Sequence, residues 1–485
     1  MYDVAIVGGG PVGVIAANMC GTYGLSAIVL ESSEEVYDLP RAVGMWDDVQ
    51  RILDGVDLLQ SSLPYMSSTV GGEFTDASGK HLIGISYPPD LITPNGHPPM
   101  RMFHQPSMER ACRKHLDDHQ EVELKTLHEA IEFTEHDDHV SVLVKDLAKD
   151  KAVQIKARWV IGCDGANSLV RRACDIEWQN LGYDREWLVV DATMQVKDEL
   201  PRCAQQVCDP KRPTTTMPLP RSMRRWEFQL RPGETVEEME DPERVWSLVE
   251  AWVPRSDAEI VRAVVYCFHS TVAETFRRGR VFIAGDAAHQ TPPFLAQGLC
   301  SGVRDTENLV WKMAQVARGQ ANEELLDTYT EERRPMAIAA VDHSVQIGKL
   351  IDAYAEMARG GPEPPTELQE YAYGGRPLPH LSTGLLASPS SEWTGQLVPQ
   401  TKCVANGQEG MLDEMVGPKW SVISAGDPKE SLESEAREFW EGLGAVFVSV
   451  PEPEGAILGL LLEHQVVLAR PDRIIYGTGD QRPEF

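Results

Sequence analysis

The chain lacks the features that would place it at a membrane, outside the cell or on nucleic acid. No apolar run approaches the roughly 20 residues a bilayer-spanning helix needs, and Ala456 to Leu462 is far too short. The first residues enter an apolar stretch with no basic region ahead of it, so no signal peptide is expected. Nine cysteines make an odd total with no CxxC pair. Reduced thiols in a cytoplasmic protein are therefore expected, without disulfides and without a metal site. Positive charge is scarce: 45 Lys and Arg stand against 74 Asp and Glu, a net charge of −29. That balance argues against nucleic acid and anionic membrane surfaces as partners. Apolar content of 42% and charged content of 25% over 485 residues are those of a globular chain with two or three domains.

What is present begins at once. Residues 2–32 read YDVAIVGGGPVGVIAANMCGTYGLSAIVLES. Val4 to Val7 is a β-type run, Gly8 to Gly13 a glycine turn, Val14 to Tyr23 a helix closed by Gly24, and Ser26 to Leu30 a second strand ending on Glu31. Strand, turn, helix, strand and acid in that order bind the ADP half of a dinucleotide. Gly8 permits the tight turn, Gly10 lets backbone approach a pyrophosphate, and Gly13 lets helix and strand close up. The helix start after Pro11 and Val12 offers free N–H groups and the positive dipole end to the phosphates. Glu31 can accept from ribose hydroxyls and would repel a 2′-phosphate, which favours FAD or NAD over NADP. The alternative is an ordinary βα turn.

Further along, Pro40-Arg41-Ala42-Val43-Gly44 precedes Trp46, Asp47 and a helical stretch from Val49 to Leu59. Arg41 could reach back over the phosphates or stay solvated. Residues 71–91 read as strand and turn, and Ser107 as the N-cap of a helix running to His115. The strand ending at Ile161 delivers Gly162-Cys163-Asp164-Gly165, a second candidate ligand-facing loop or an Asx turn. Residues 187–196, 214–217, 226–230 and 261–268 form a β-rich stretch able to roof a pocket. A third buried strand ends in Gly285-Asp286, where the carboxylate could accept from ribityl hydroxyls. His289 reads as a packed loop histidine or a pocket residue. The loop 291–298 leads into a long helix from Leu299. Residues 323–334 and 336–359 read as two helices, 360–379 as a linker, and the remainder as a small α/β domain.

Three of these segments resemble the fingerprints of the single-component, FAD-dependent aromatic hydroxylases: GGGPVG with Glu31, GCDGANSLVRR, and GDAAHQTPPFLAQGLCSGVRDTENLVWK. PRAVG, WEF, LLDTYTEERRP and ARPDRIIYG are similar to the branch holding 3-(3-hydroxyphenyl)propionate hydroxylases and polyketide-tailoring oxygenases. The resemblance implies an α/β fold. A Rossmann-like FAD domain (1–180 and 276–380, with a β insertion near 71–100) would interleave with a β-sheet substrate domain (181–275). A thioredoxin-like C-terminal domain (386–485) would follow. With only Cys403 in that tail, a dithiol cycle there is excluded, and a structural or dimer-contact role is implied, so a homodimer is the expected assembly.

Carried over by position, Gly8, Gly10, Pro11, Val12, Gly13, Glu31, Arg41, Gln105, Asp164, Gly285 and Asp286 would bind FAD. Pro293, Gly298, Leu299 and Cys300 would line the flavin's oxygen-reacting face. Asp47, His289 and Pro293 are the candidates at the reacting centre; Trp46, Gln206 and Trp226 are those for substrate. Ala296 stands where relatives carry Gly, and Trp46 precedes an Asp that relatives place differently. The implied chemistry uses NADH or NADPH as transient reductant, and O2 to form a flavin C4a-hydroperoxide. That species would hydroxylate a small phenolic substrate, ortho to its hydroxyl. Polyketide hydroxylation, epoxidation or Baeyer–Villiger oxygenation is the alternative, with a non-oxygenating flavoprotein after it.

Overall fold

The computed structural model describes residues 1–195, 200–373 and 379–483. The strand Tyr2–Val7 lies parallel between Lys151–Gly162 and Ala27–Leu30, with Val281–Ile283 and Val122–Lys125 beyond them. Covered on both faces, these strands read as continuous apolar runs, and Val4, Ala5 and Ile6 are fully buried. The helices Pro11–Thr22 and Gln297–Ala317 pack on the sheet. Val12 wedges them together so tightly that a Cβ on Gly302 would lie 2.7 Å from its methyl.

A second sheet runs in the order Ala258–Phe268, Arg185–Met194, Met223–Gln229, Thr214–Leu219, Ala204–Val207, Gly71–Thr75, His81–Ser86. The stretch read as an insertion near 71–100 thus supplies its far edge, through a parallel pairing of Gly71–Thr75 with Ala204–Val207. One face packs Leu188, Val190, Trp226 and Phe228 against Met239, Val245 and Val249 of two short helices. The other face turns toward the nucleotide-type sheet. The tail forms a third sheet in the order Gln408–Met411, Lys402–Ala405, Val446–Ser449, Ser421–Ser424, Val467–Ala469, Ile475–Thr478, a thioredoxin-like arrangement with an added edge hairpin.

Several local expectations are corrected. The two helices read on either side of Pro335 are one, Thr328–Ala358. Proline deprives the Glu331 carbonyl of its helical donor, and the Thr383 hydroxyl donates to that carbonyl instead at 2.8 Å. The linker from 360 to 379 contains the helix Thr366–Tyr373; residues 374–378 lie outside the described ones, as does Val196. Ser107 is not a cap: the helix starts at Gln105, and the Ser107 hydroxyl bonds His104 Nδ1 at 2.8 Å. The helical stretch after Trp46 breaks at Gly55–Asp57 into Asp47–Asp54 and Leu58–Ser62.

Buried charge joins the tail to the first domain. Glu332 accepts from Lys312 Nζ at 2.8 Å and from both Arg470 terminal nitrogens at 2.9 and 2.8 Å. Arg470 also grips Asp472, and Lys312, Glu332, Arg470 and Asp472 are all buried. Nearby, Arg51 takes Asp413 with two bonds of 2.6 and 2.8 Å, and Arg473 donates to the same carboxylate at 2.8 Å. Burial alone would raise the Glu332 pKa; Arg470 and Lys312 overcome it and bring it from 4.5 down to about 2. The stabilisation is therefore present above the ordinary pKa and lost as pH falls toward about 2. Glu332→Ala is expected to cost about 3–5 kcal/mol in denaturant unfolding. It should also flatten the loss of stability expected of the native protein across that acid window.

Candidate functional site

The strand order sets three turns side by side. Gly8 follows Tyr2–Val7, Cys163-Asp164 follows Lys151–Gly162, and Gly285-Asp286 follows Val281–Ile283. Backbone bonds stitch them together: Cys163 N–H donates to Val7 O at 2.8 Å, and Ala284 N–H to Gly162 O at 2.9 Å. Ligands of open α/β sheets bind at such carboxyl ends.

Steric demands separate the glycines. A Cβ on Gly13 would lie 1.9 Å from the Gly8 carbonyl oxygen, and one on Gly8, at φ +99°, would lie 2.4 Å from Cys163 O. Both are required by the turn itself. Gly10 is different: nothing lies within 4 Å of where its Cβ would be. No protein atom demands glycine there, so the open space fits a ligand that comes close. Two carboxylates agree. Asp164 Oδ2 accepts from Val170 N–H at 3.0 Å while its buried Oδ1 has no protein partner. Asp286 is exposed to solvent yet surrounded by enough protein that desolvation raises its pKa, against the charges of His289 and Arg41. The arrangement fits a dinucleotide with hydroxyls to donate.

Other predicted residues frame this space. Glu31 accepts from Gly9 N–H and Ser33 N–H, both at 2.7 Å, at the end of the second strand. Gln105 Oε1 accepts from Arg41 N–H at 3.1 Å and Ala42 N–H at 2.8 Å, fixing the PRAVG loop. Pro11 opens the first helix, Val12 fills the gap to Gly285, and nothing lies within 4 Å of a Cβ on Gly298. Leu299 and Cys300 are buried in the first turns of the long helix. Ala296 adopts φ +53°, a left-handed geometry that favours glycine, and its methyl sits over Gly44. Trp46 Nε1 donates to Leu295 O at 2.8 Å, so the indole clips the turn that carries Pro293.

Asp47 and Trp226 are corrected as site candidates, and for His289 the packed-loop reading is the one the structure favours. His289 is fully buried; its Nε2 lies 2.6 Å from Asp305, which also accepts from Arg333 Nε and Gly285 N–H. It braces the Gly285 turn through Asp305, while its Nδ1 has no protein partner. Asp47 is buried and accepts from Thr93 and Asn95 at 2.8 and 2.7 Å, which ties down a loop. Trp226 is fully buried on the outer face of the second sheet, because strand alternation sends it to the helices and its neighbours Arg225 and Glu227 inward. Gln206 does sit on the inner face, bonded to Thr215.

That inner face holds what sequence reasoning missed. Arg225 takes Asp191 with bonds of 2.7 and 2.8 Å and donates to Pro40 O and Arg41 O, clamping the PRAVG loop to the sheet. Beside it, burial pushes Glu227 up to about 7, opposed by Arg225. Tyr183, Trp187, Phe268 and Phe294 form a ring cluster that reaches the Pro293 turn. Arg304 holds Asp48 and Gln297 at the start of the long helix. The available signal was the set Arg304, Asp305, Asn308 and Lys312, all of them buried, beside the apolar stripe Leu309, Val310, Met313 and Val316 of the same helix.

Among the described residues no helix is long and apolar enough to cross a membrane. A profile of the FAD binding domain family matches residues 1–344, and one of the HcaD C-terminal domain matches 395–461. A 3-(3-hydroxy-phenyl)propionate/3-hydroxycinnamic acid hydroxylase of Shigella sonnei is 31% identical over 515 positions, covering 98% of this chain and 91% of its own. The protein of the same name from Burkholderia cenocepacia is 33% identical over 464, covering 92% and 84%. Two solved structures share the fold end to end. The flavin-dependent monooxygenase PieE, with FAD and substrate, has a TM-score of 0.83 at 20% identity, covering 98% of this chain and 95% of that one. Aklavinone-11 hydroxylase, with FAD and aklavinone, has 0.83 at 21%, covering 99% and 96%. The chain belongs to the FAD-dependent aromatic hydroxylases, with the flavin domain of that enzyme family spanning residues 1–344.

Proposed function

We propose that this enzyme uses NADH or NADPH and O2 to hydroxylate a phenolic aromatic acid of the 3-hydroxyphenylpropionate type, ortho to its hydroxyl. The observation that carries the reading is the meeting of three ligand-facing turns beneath the inner face of the second sheet, with open space at Gly10 and an unpartnered oxygen on Asp164. The substrate class is supported by what the relatives at 31% and 33% identity are named for.

In this reading the Gly8–Gly13 turn and the helix behind it hold the pyrophosphate, Glu31 the adenosine ribose, and Asp286 the ribityl chain. FAD held there would supply the redox chemistry that links the nicotinamide, O2 and the ring. The protein's part is to orient the ring and keep water out. The clamp of Arg225 on Pro40 and Arg41 closes the sheet over the cleft, and Trp46 fixes the Pro293 turn. Glu227, with its pKa brought to about 7, is the inner-face carboxylate able to take a phenol proton near neutral pH.

Three results are expected. Gly13→Ala should collapse the turn and the fold, whereas Gly10→Ala should leave apoprotein melting unchanged and weaken FAD binding in a fluorescence titration. Equal loss of folding in both would remove the ligand argument. Purified holoenzyme given a panel of phenols should show NAD(P)H oxidation stimulated strongly by one phenolic acid, with O2 uptake matched by product and little H2O2. Failure of every phenol would shift the reading to polyketide-like substrates. The native enzyme should show a rise in kcat as pH climbs through about 7, and Glu227→Gln should keep full FAD content and lose that rise.

A further inference from the structure

Three metal-ligating atoms outside the flavin site meet where the strand Ala258–Phe268 leaves the second sheet. His269 Nδ1 lies 2.6 Å from Asp184 Oδ1 and 3.9 Å from Cys267 Sγ. All the ligand atoms fall within 4.8 Å of one another, and all three residues are exposed. Two residues apart, Cys267 and His269 leave the strand on one side. Asp184 comes from the turn before the neighbouring strand Arg185–Met194, where Glu186 pairs with Cys267 across the ladder.

Thiolate, imidazole and carboxylate are the donors that zinc takes, at about 2.3, 2.0–2.1 and 2.0–2.2 Å. Tetrahedral angles at those lengths separate the donors by roughly 3.3–3.6 Å. The sulfur–nitrogen distance of 3.9 Å is near that size, and the 2.6 Å pair opens by rotating an exposed side chain. Field and partners favour a cation. Glu186, paired with Cys267 across the ladder, adds a second carboxylate beside Asp184. The adjacent cation, Arg185, donates to the Asp184 carbonyl at 3.0 Å.

We propose that Asp184, Cys267 and His269 form a binding site for a zinc-class divalent ion, with its fourth position open to water. Both strand ligands flank Phe268, whose ring stacks on Trp187 and meets Phe294 edge-on at 6.2 Å, next to Pro293. An ion here stiffens the ring cluster at the edge of the flavin cleft.

Cys267 is the one exposed cysteine among nine, so a thiol reagent reports on it directly. Full-length holoenzyme should react with the chromogenic disulfide DTNB in a fast phase that Cys267→Ser removes. Zinc should slow that phase by about tenfold when free zinc is ten times the dissociation constant, and EDTA should restore it. In Asp184→Asn and His269→Ala the thiol should stay reactive and lose the protection, with melting temperatures unchanged. One ion per chain should remain after dialysis against zinc buffer, and none in Cys267→Ser. A DTNB rate indifferent to zinc, or equal protection in all variants, would overturn the site. Neither result depends on which aromatic compound the enzyme oxidises.

Discussion

The contact on which the molecule depends is the one between Gly13 and the Gly8 carbonyl. There the first helix, the first strand and the Cys163 turn come together at distances only glycine permits. A side chain on Gly13 drives the helix from the Gly8 turn, and one on Gly8 drives that turn from Cys163. Close packing here forces Val12 into the gap between the first helix and the long one, and so sets where Gly285 and Gly302 lie. The second and third turns thereby inherit their positions from the first. Gly10 belongs to the same short stretch and obeys a different master. Its surroundings are open, and what the sequence records there is the shape of the ligand.

The cleft has two walls, held by unlike forces. The nucleotide side is fixed by steric closeness and backbone hydrogen bonds. The sheet side is fixed by charge, with Arg225 bridging Asp191 and two carbonyls of the loop that leads from the second strand. A guanidinium suits this task because its planar fork serves a carboxylate and carbonyls at once. Glu227 shares that buried surround without a short ion pair, Arg225 standing 4.0 Å away, and this distance is why desolvation prevails over attraction in its titration.

The parts legible in sequence were those written in local pattern. The βαβ unit, the Asp-Gly and Gly-Asp turns and the parallel strands all follow from apolar runs interrupted by glycine. Facing was harder. Trp226 and Glu227 are neighbours on one strand, and only the helices packed on the outer face decide which of them looks into the cleft. An aromatic residue in a β-roof suggests a substrate wall; here the aromatic is core and the acid faces inward. Asp47 looked like chemistry, and His289 was left between packing and pocket, because their partners, the Thr93–Asn95 loop and Asp305, are distant in sequence. Pro335 ended a predicted helix because the hydroxyl that rescues its turn comes from Thr383, 48 residues later (383 minus 335).

The Arg470 side chain has a consequence beyond its own neighbourhood. It enters a cluster in which Glu332 and Lys312, from the two longest helices, are already out of water. During synthesis those helices are complete well before the tail emerges, and until Arg470 arrives the Glu332 carboxylate lacks one of its two cations. The first domain is thus an unfinished electrostatic circuit until a residue of the C-terminal domain closes it. A defect at Arg470, in the third sheet's domain, is in this way felt between the two long helices of the first.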